Sequence, residues 1–281
     1  MELKHLILWR KLMAFHCTPM YPSETLNLWL SLSAKDMNCC KLPFARTVVI
    51  AEAGAAHQGS LSDACDLVVT AAKAGADVVK FQAFDNPTKE SMFCWINGDE
   101  ERSDWWRSSR LSYKEWEKVK DLCDERGINL MLSCFENKTI QWADQLRLPC
   151  MKVASRAAKN FPYKEWYRHF LISFGMWRPG AKALAALPES STFMQCTSEY
   201  PSEDRWVGAH PGYSCHSKEP FRAIEAIRGC AAFVEVHFQG DVWPGPDEPV
   251  SLIPVDLVTV CEARDYYYKQ RQSLIGCNRE V

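Results

Sequence analysis

No G-x-G-x-x-G turn, no C-x-x-C pair, no long basic run and no uninterrupted apolar stretch of about 20 residues occurs in these 281 residues. Each absence removes a class of function. Without a glycine turn after the first apolar run there is no warrant for dinucleotide binding, although an open doubly wound sheet stays available as an architecture. The 13 cysteines are odd in number and lack paired spacings, so they do not read as a disulfide framework. Cys65, Cys123, Cys150 and Cys230 sit in apolar segments, where a free thiol behaves as a small hydrophobe. A reducing, cytoplasmic setting is expected. A net charge of -2 with no basic stripe offers nucleic acid nothing to hold, and the missing apolar span gives no membrane partner. What remains is a small-molecule partner.

What is present is globular: 47% hydrophobic and 24% charged residues, in a length that suits one α/β barrel of about 250 residues. Residues 1–44 read differently from the rest. Leu3, Leu6, Ile7 and Trp9 can line a helix face, but Cys-Thr-Pro and Tyr-Pro-Ser break it. The segment is expected to be an extension without chemistry, or a leader upstream of a start at Met37. Lys4 is followed by a short apolar run that Arg10 and Lys11 interrupt, with no small-residue cleavage site, so export is not expected.

From Thr47 a rhythm sets in. T-V-V-I-A-E-A-G reads as a buried parallel strand, Leu61 to Lys73 as a helix closed by Gly75, and A-D-V-V-K-F-Q as the next strand. The polar stretch from Phe84 to Arg110 is too long for an ordinary connection, and its Trp105-Trp106 pair reads as lid packing. A helix follows with Ser112 as N-cap, Glu115 three residues on and Gly127 at its end. Further units run through I-N-L-M-L-S-C-F, C-M-K-V-A-S, F-L-I-S-F-G, T-F-M-Q-C-T, G-Y-S-C-H and F-V-E-V-H-F, with no helix between Ser198 and Pro211 and a last helix from about Pro254 to Lys269. Eight strand-like segments predict a closed (β/α)8 TIM barrel over 45–270, with a tail at 271–281.

In such a barrel the strand C-terminal ends form the active face. The polar residues there are Glu52, Lys80, Ser133, Lys152, Ser155, Ser173, Thr197, Ser214, His216, Glu235 and His237. Glu235 and His237, two apart on a strand, share a face. A lysine ending a buried strand must snorkel out or meet an anion. Two lysines with hydroxyls suit a phosphate and a carboxylate, and two imidazoles suit a divalent metal with open positions.

The segments V-I-A-E-A-G-A-A-H-Q-G-S, G-A-D-V-V-K-F-Q, L-S-Y-K-E-W, M-K-V-A-S, C-T-S-E-Y-P, G-Y-S-C-H, V-E-V-H-F and P-G-P-D resemble, in order and spacing, the sialic acid synthase family over about residues 46 to 265. The resemblance implies a TIM-barrel transferase that condenses phosphoenolpyruvate with an open-chain N-acylated amino sugar such as N-acetylmannosamine, releasing phosphate. It implies that His216 and His237 hold manganese or magnesium, and that Lys80, Lys152, Ser155, Tyr200 and Ser214 contact phosphoenolpyruvate. Glu52 and Glu235 would handle the sugar, the attacking water and proton transfer. Read from the residues, Ser173 is a further substrate contact, His57 is either a loop-structure residue or a substrate contact, and a homodimer is the expected assembly. Several family positions are altered: Ala56, Cys134, Arg156-Ala157, Phe174, Gln195 and Cys215 stand where more polar or acidic residues are usual. Residues 265 to 281 are too few for the C-terminal antifreeze-like domain that family members often carry. A degenerate barrel that serves as a binding or assembly partner is the alternative these changes suggest.

Overall fold

The computed structural model describes residues 46–96, 98–163, 169–241 and 245–277. The N-terminal extension and Met37 lie outside them. Eight parallel strands close on themselves in sequence order: β1 (Val48–Gly54), β2 (Val78–Ala83), β3 (Asn129–Cys134), β4 (Cys150–Val153), β5 (His169–Phe174), β6 (Ser191–Cys196), β7 (Gly212–Cys215) and β8 (Phe233–His237), with β8 paired back to β1. This is the expected (β/α)8 barrel. The helices are α1 (Leu61–Ala74), α2 (Glu100–Ser108), α3 (Tyr113–Arg126), α4 (Asn137–Gln145), α5 (Ala181–Ala185), α6 (Phe221–Arg228) and α7 (Pro254–Cys277).

Local chemistry sets the boundaries. Ser60 Oγ accepts the Asp63 N–H at 3.2 Å to start α1, and Gly75, at φ 86°, ends it in the left-handed region. Ser112 and Glu115 form the expected capping box at α3, with the Ser112 N–H donating to Glu115 Oε2 at 2.7 Å. Two helices differ from expectation. The last helix continues to Cys277, past Lys269, because no glycine or proline interrupts Val255 to Ile275, and so runs into the stretch from 271. Within the long Phe84–Arg110 stretch, α2 forms although only Ser103 and Trp106 in it are buried.

Strand alternation divides the barrel into two cores. One row of residues faces the helices and includes Val49, Ala51, Val79, Phe81, Leu130 and Leu132. The other faces the lumen, where Val48, Ile50, Val78, Met131, Cys150, Leu171, Met194 and Phe233 fill the lower part. Further along seven of the eight strands the lumen row turns polar: Glu52 on β1, Lys80 on β2, Ser133 on β3, Lys152 on β4, Ser173 on β5, Ser214 on β7 and Glu235 on β8, with Cys196 at this level on β6. The register aligns them. Glu52 stands opposite Lys80 on one side and His237 on the other, Ser133 opposite Lys152, and Ser214 opposite Glu235. An apolar plug thus supports a polar floor.

At the other end, buried Asp77 accepts the Val49 N–H at 2.8 Å and pairs with Arg264 Nη1 of α7 at 2.7 Å and with Arg46. That network ties the first two strands to the last helix.

Candidate active site

The polar floor opens into a cavity of about 580 Å³ at the strand C-terminal ends. Lys80 Nζ lies 2.7 Å from Glu52 Oε2 and 3.4 Å from Glu235 Oε2, and donates to Ser133 Oγ at 3.1 Å. Lys152 Nζ lies 3.4 Å from Glu235 Oε1, which also accepts the Ser214 hydroxyl at 2.8 Å. All four charged side chains are buried. In low dielectric these neighbours decide protonation. Burial pushes the Glu235 carboxyl up, but the Lys152 and Lys80 ammoniums overcome it and hold the group well below the usual carboxylate range. Burial raises Glu52, Lys80 offsets only part of this, and the Glu235 charge adds to it. The two carboxylates are therefore driven apart, one held ionised and the other biased toward carrying a proton. Burial depresses Lys152 despite Glu235; Lys80, between two carboxylates, is raised despite burial.

His216 and His237 face each other with ring centroids 5.4 Å apart. His216 Nδ1 is 2.6 Å from the Thr197 carbonyl, so Nδ1 carries the proton and donates it there. Its Nε2 lone pair is left toward the cavity, 3.2 Å from the Tyr200 hydroxyl, while Tyr200 stacks on the ring at 4.4 Å. Burial, helped by His237, lowers His216 to about 4, which keeps it neutral. His237 Nδ1 lies 3.7 Å from Asp247 Oδ2. Among the described residues no three His, Cys, Asp or Glu side chains cluster as a metal nest. The donor set fits a divalent ion only as two imidazoles, one with its tautomer fixed by a carbonyl, with the remaining positions left to water and substrate oxygens.

A second group of donors sits across the mouth. Ser155 Oγ accepts the Met176 N–H at 2.6 Å and the Ser198 hydroxyl at 3.1 Å. Gly175 permits this approach, since a Cβ there would lie 2.7 Å from Ser198 Oγ and 2.8 Å from Ser155 Oγ. Ser173 Oγ is buried with no hydrogen-bond partner among the described residues. Glu52, Lys80, Lys152, Ser155, Ser173, Tyr200, Ser214, His216, Glu235 and His237 all line the one cavity.

His57 does not. The expectation that it contacts substrate is corrected: it is fully buried on the helix side, edge-on to Phe81 at 5.8 Å and Trp116 at 5.7 Å, and its Nδ1 accepts the Gly59 N–H at 3.2 Å. The altered positions are corrected likewise. Cys134 and Cys215 fall one residue out of step with the lumen row, and Ala56, Ala157, Phe174 and Gln195 also lie off the cavity. Cys134 donates to the Thr139 carbonyl at 3.3 Å and burial pushes its thiol up to about 12, so it is inert. Of the altered residues only Arg156 reaches the cavity. The sequence reading gave no role to Asp247, Asp99 or Ile96, which also line it. Asp247 was signalled by the P-G-P-D turn; Asp99 and Ile96 sit in a stretch with no periodicity to place them.

Residues 67–273 match the NeuB family model. The chain is 28% identical over 239 residues to N-acetylneuraminate-9-phosphate synthase of Mus musculus, covering 74% of this chain and 67% of that one. It is 27% identical over 249 residues to N,N'-diacetyllegionaminic acid synthase of Campylobacter jejuni, covering 77% and 75%. In structure it is similar to N-acetylneuraminic acid synthetase from Leptospira borgpetersenii, with a TM-score of 0.68 over 80% of this chain and 84% of that one at 21% identity, a likeness of fold alone. Most of the chain, from α1 through α7, answers to one family description, and the chain belongs to the NeuB family.

Proposed function

We propose that this protein condenses phosphoenolpyruvate with an open-chain N-acylated amino sugar, giving a nonulosonic, sialic-type acid and phosphate with the help of manganese or magnesium. The observation that carries the reading is the buried set of two ammoniums and two carboxylates beside a pair of facing imidazoles. The donor is an anion of high charge. Lys152, with a carboxylate on one side only, has N–H groups left for it, and Ser155, Ser173 and Ser214 add hydroxyls. His216 and His237 would hold the metal, which supplies Lewis acidity at the sugar aldehyde.

The chain's own residues do the rest. As C3 of phosphoenolpyruvate bonds to the aldehyde carbon, the aldehyde oxygen needs a proton, and Glu52, biased toward the protonated form and opposite His237 in the register, would give it. The positive centre left at C2 is captured by water, whose proton passes to ionised Glu235, oriented by Ser214. The C2–O bond then breaks with its electron pair going to phosphate, the remaining C2 hydroxyl passes its proton to the departing phosphate, and C2 becomes a ketone. Burial of the floor raises the effect of each charge.

The degenerate-barrel alternative draws no support from six of the altered residues, which lie off the cavity. The test is phosphate release from phosphoenolpyruvate across a panel of N-acyl hexosamines, with manganese and with chelator. Release that requires both an acceptor and the metal is expected. Silence across the panel would overturn the proposal.

A further inference from the structure

Strand β6 ends at Cys196, opposite Ser214 in the register, and the residue after it has no ladder to hold it. That residue, Thr197, nevertheless carries the carbonyl that accepts the His216 Nδ1–H at 2.6 Å. A carbonyl beyond the end of a strand keeps one direction only if something else fixes it. What fixes this one stands behind the site, since neither Thr197 nor Asp204 lines the cavity.

Asp204 Oδ2 accepts the Thr197 hydroxyl at 2.8 Å and an N–H of Gln195 Nε2 at 3.0 Å. Gln195 is one of the altered positions off the cavity, and here it has a task. Its amide also donates to the Arg205 carbonyl at 2.6 Å and accepts the Val207 N–H at 3.0 Å, so it holds the returning chain on both sides of Trp206. Asp204 is set in turn by its own backbone: its N–H donates to Ser202 Oγ at 3.1 Å, and its carbonyl accepts the Tyr213 hydroxyl at 2.8 Å. Among the described residues it makes no ion pair, so its carboxylate serves these neutral donors as a charge-assisted acceptor. The loop closed in this way is laid on His216. Between its ends the Ser202 N–H donates to the His216 carbonyl at 2.8 Å, and Tyr200 stacks on the imidazole with centroids 4.4 Å apart. One loop thus meets one histidine at Nδ1, at the ring face and at the backbone.

We infer that Asp204 is a positioning residue for His216: by gripping Thr197, with Gln195 as its second hold, it fixes the carbonyl that keeps the proton on Nδ1 and the Nε2 lone pair toward the cavity. The role concerns residues to which the synthase reading gives no part, and it rests on that reading only for the ion that His216 would take. An imidazole whose tautomer is already set meets a cation without rearranging. Outer partners of this kind change metal affinity by about 10–100-fold when they are removed.

The experiment reads His216 first without metal, by nuclear magnetic resonance of protein labelled with heavy nitrogen at histidine, its signal assigned by its absence from His216→Gln. Wild type is expected to show the Nδ1–H tautomer alone, and Asp204→Ala and Thr197→Val a mixture of the two. Thr197→Ser, which keeps the hydroxyl, and Asp204→Asn, which keeps an acceptor oxygen, restore the single tautomer. Calorimetric titration of manganese into the same proteins is expected to show binding about tenfold weaker in Asp204→Ala and in Thr197→Val. The double variant is no weaker than either, because both cut one chain of contacts. Glu203→Ala removes a neighbouring carboxylate that pairs outward with Arg222 at 3.1 Å, and it leaves both readouts unchanged. Thr197→Val conserves shape, so it reports even where Asp204→Ala does not fold. An unchanged tautomer or an unchanged manganese affinity in both variants would overturn the inference. An equal loss in Glu203→Ala would also overturn it, by showing only that the loop had loosened. A tautomer that shifts in Asp204→Ala while wild type binds no manganese would defeat the metal reading and leave the positioning role standing.

Discussion

His57 shows how one residue's surroundings decide its chemistry. Burial lowers its imidazole from the ordinary 6.5 to about 4 in the folded protein. The unfolded chain then binds more protons between those values, so this group's stabilisation is complete above pH 6.5 and is lost as pH falls through the window toward 4. The loss reaches about 3 kcal/mol. Urea midpoints measured at pH 7.5 and pH 4.5 are expected to differ less in His57→Phe than in wild type; equal differences would contradict this. The side on which His57 falls was not legible in the sequence, because it follows the end of β1 in a turn where strand alternation no longer holds. For Cys134 and Cys215 it was legible: each neighbours a lumen residue, Ser133 and Ser214, and so points the other way. Arg156 could be recognised as out of pattern, but its partner Asp99, 57 residues away, could not.

At the scale of elements, the β-branched runs, the periodicity of Leu61 to Lys73 and the cap at Ser112 identified strands and helices because local propensity and burial agree there. Helix α2 was missed because its sequence, E-E-R-S-D-W-W-R-S, is polar around most of its circumference. Packing of its two tryptophans holds it, Trp106 near Phe84 at 5.9 Å and Trp105 on Gly245. Gly245→Ala therefore tests the element. A Cβ at φ 72° is strained and would strike the Trp105 ring, costing at least about 1 kcal/mol. Limited trypsin digestion is expected to cut faster after Arg102, Arg107 and Arg110 in the variant. An unchanged cleavage pattern would show that this contact does not hold the segment down.

Over the whole molecule, closure of the barrel brings β1 and β8 together and so aligns Glu52 with His237 across 185 residues of chain. The order of motifs made the fold and the floor readable, since a barrel converts strand order directly into neighbourhood. The rim was not readable, because it depends on where an irregular segment docks. At the far end the Asp77 network secures closure. Asp77→Ala would leave Arg264, 1% exposed, with only the half-exposed Asp265 and the Gly75 carbonyl as partners and the Val49 N–H without its acceptor, and a loss of about 1–3 kcal/mol in denaturant stability is expected. A loss below about 1 kcal/mol would mean that the network is not structural. The central claim, that the floor breaks the C–O bond of phosphoenolpyruvate after water adds to carbon, is tested most directly by turnover in heavy-oxygen water. The account predicts acceptor-dependent release of phosphate free of the heavy isotope, because the bridging oxygen leaves with phosphorus. Heavy oxygen in the phosphate, or release without an acceptor, would contradict it.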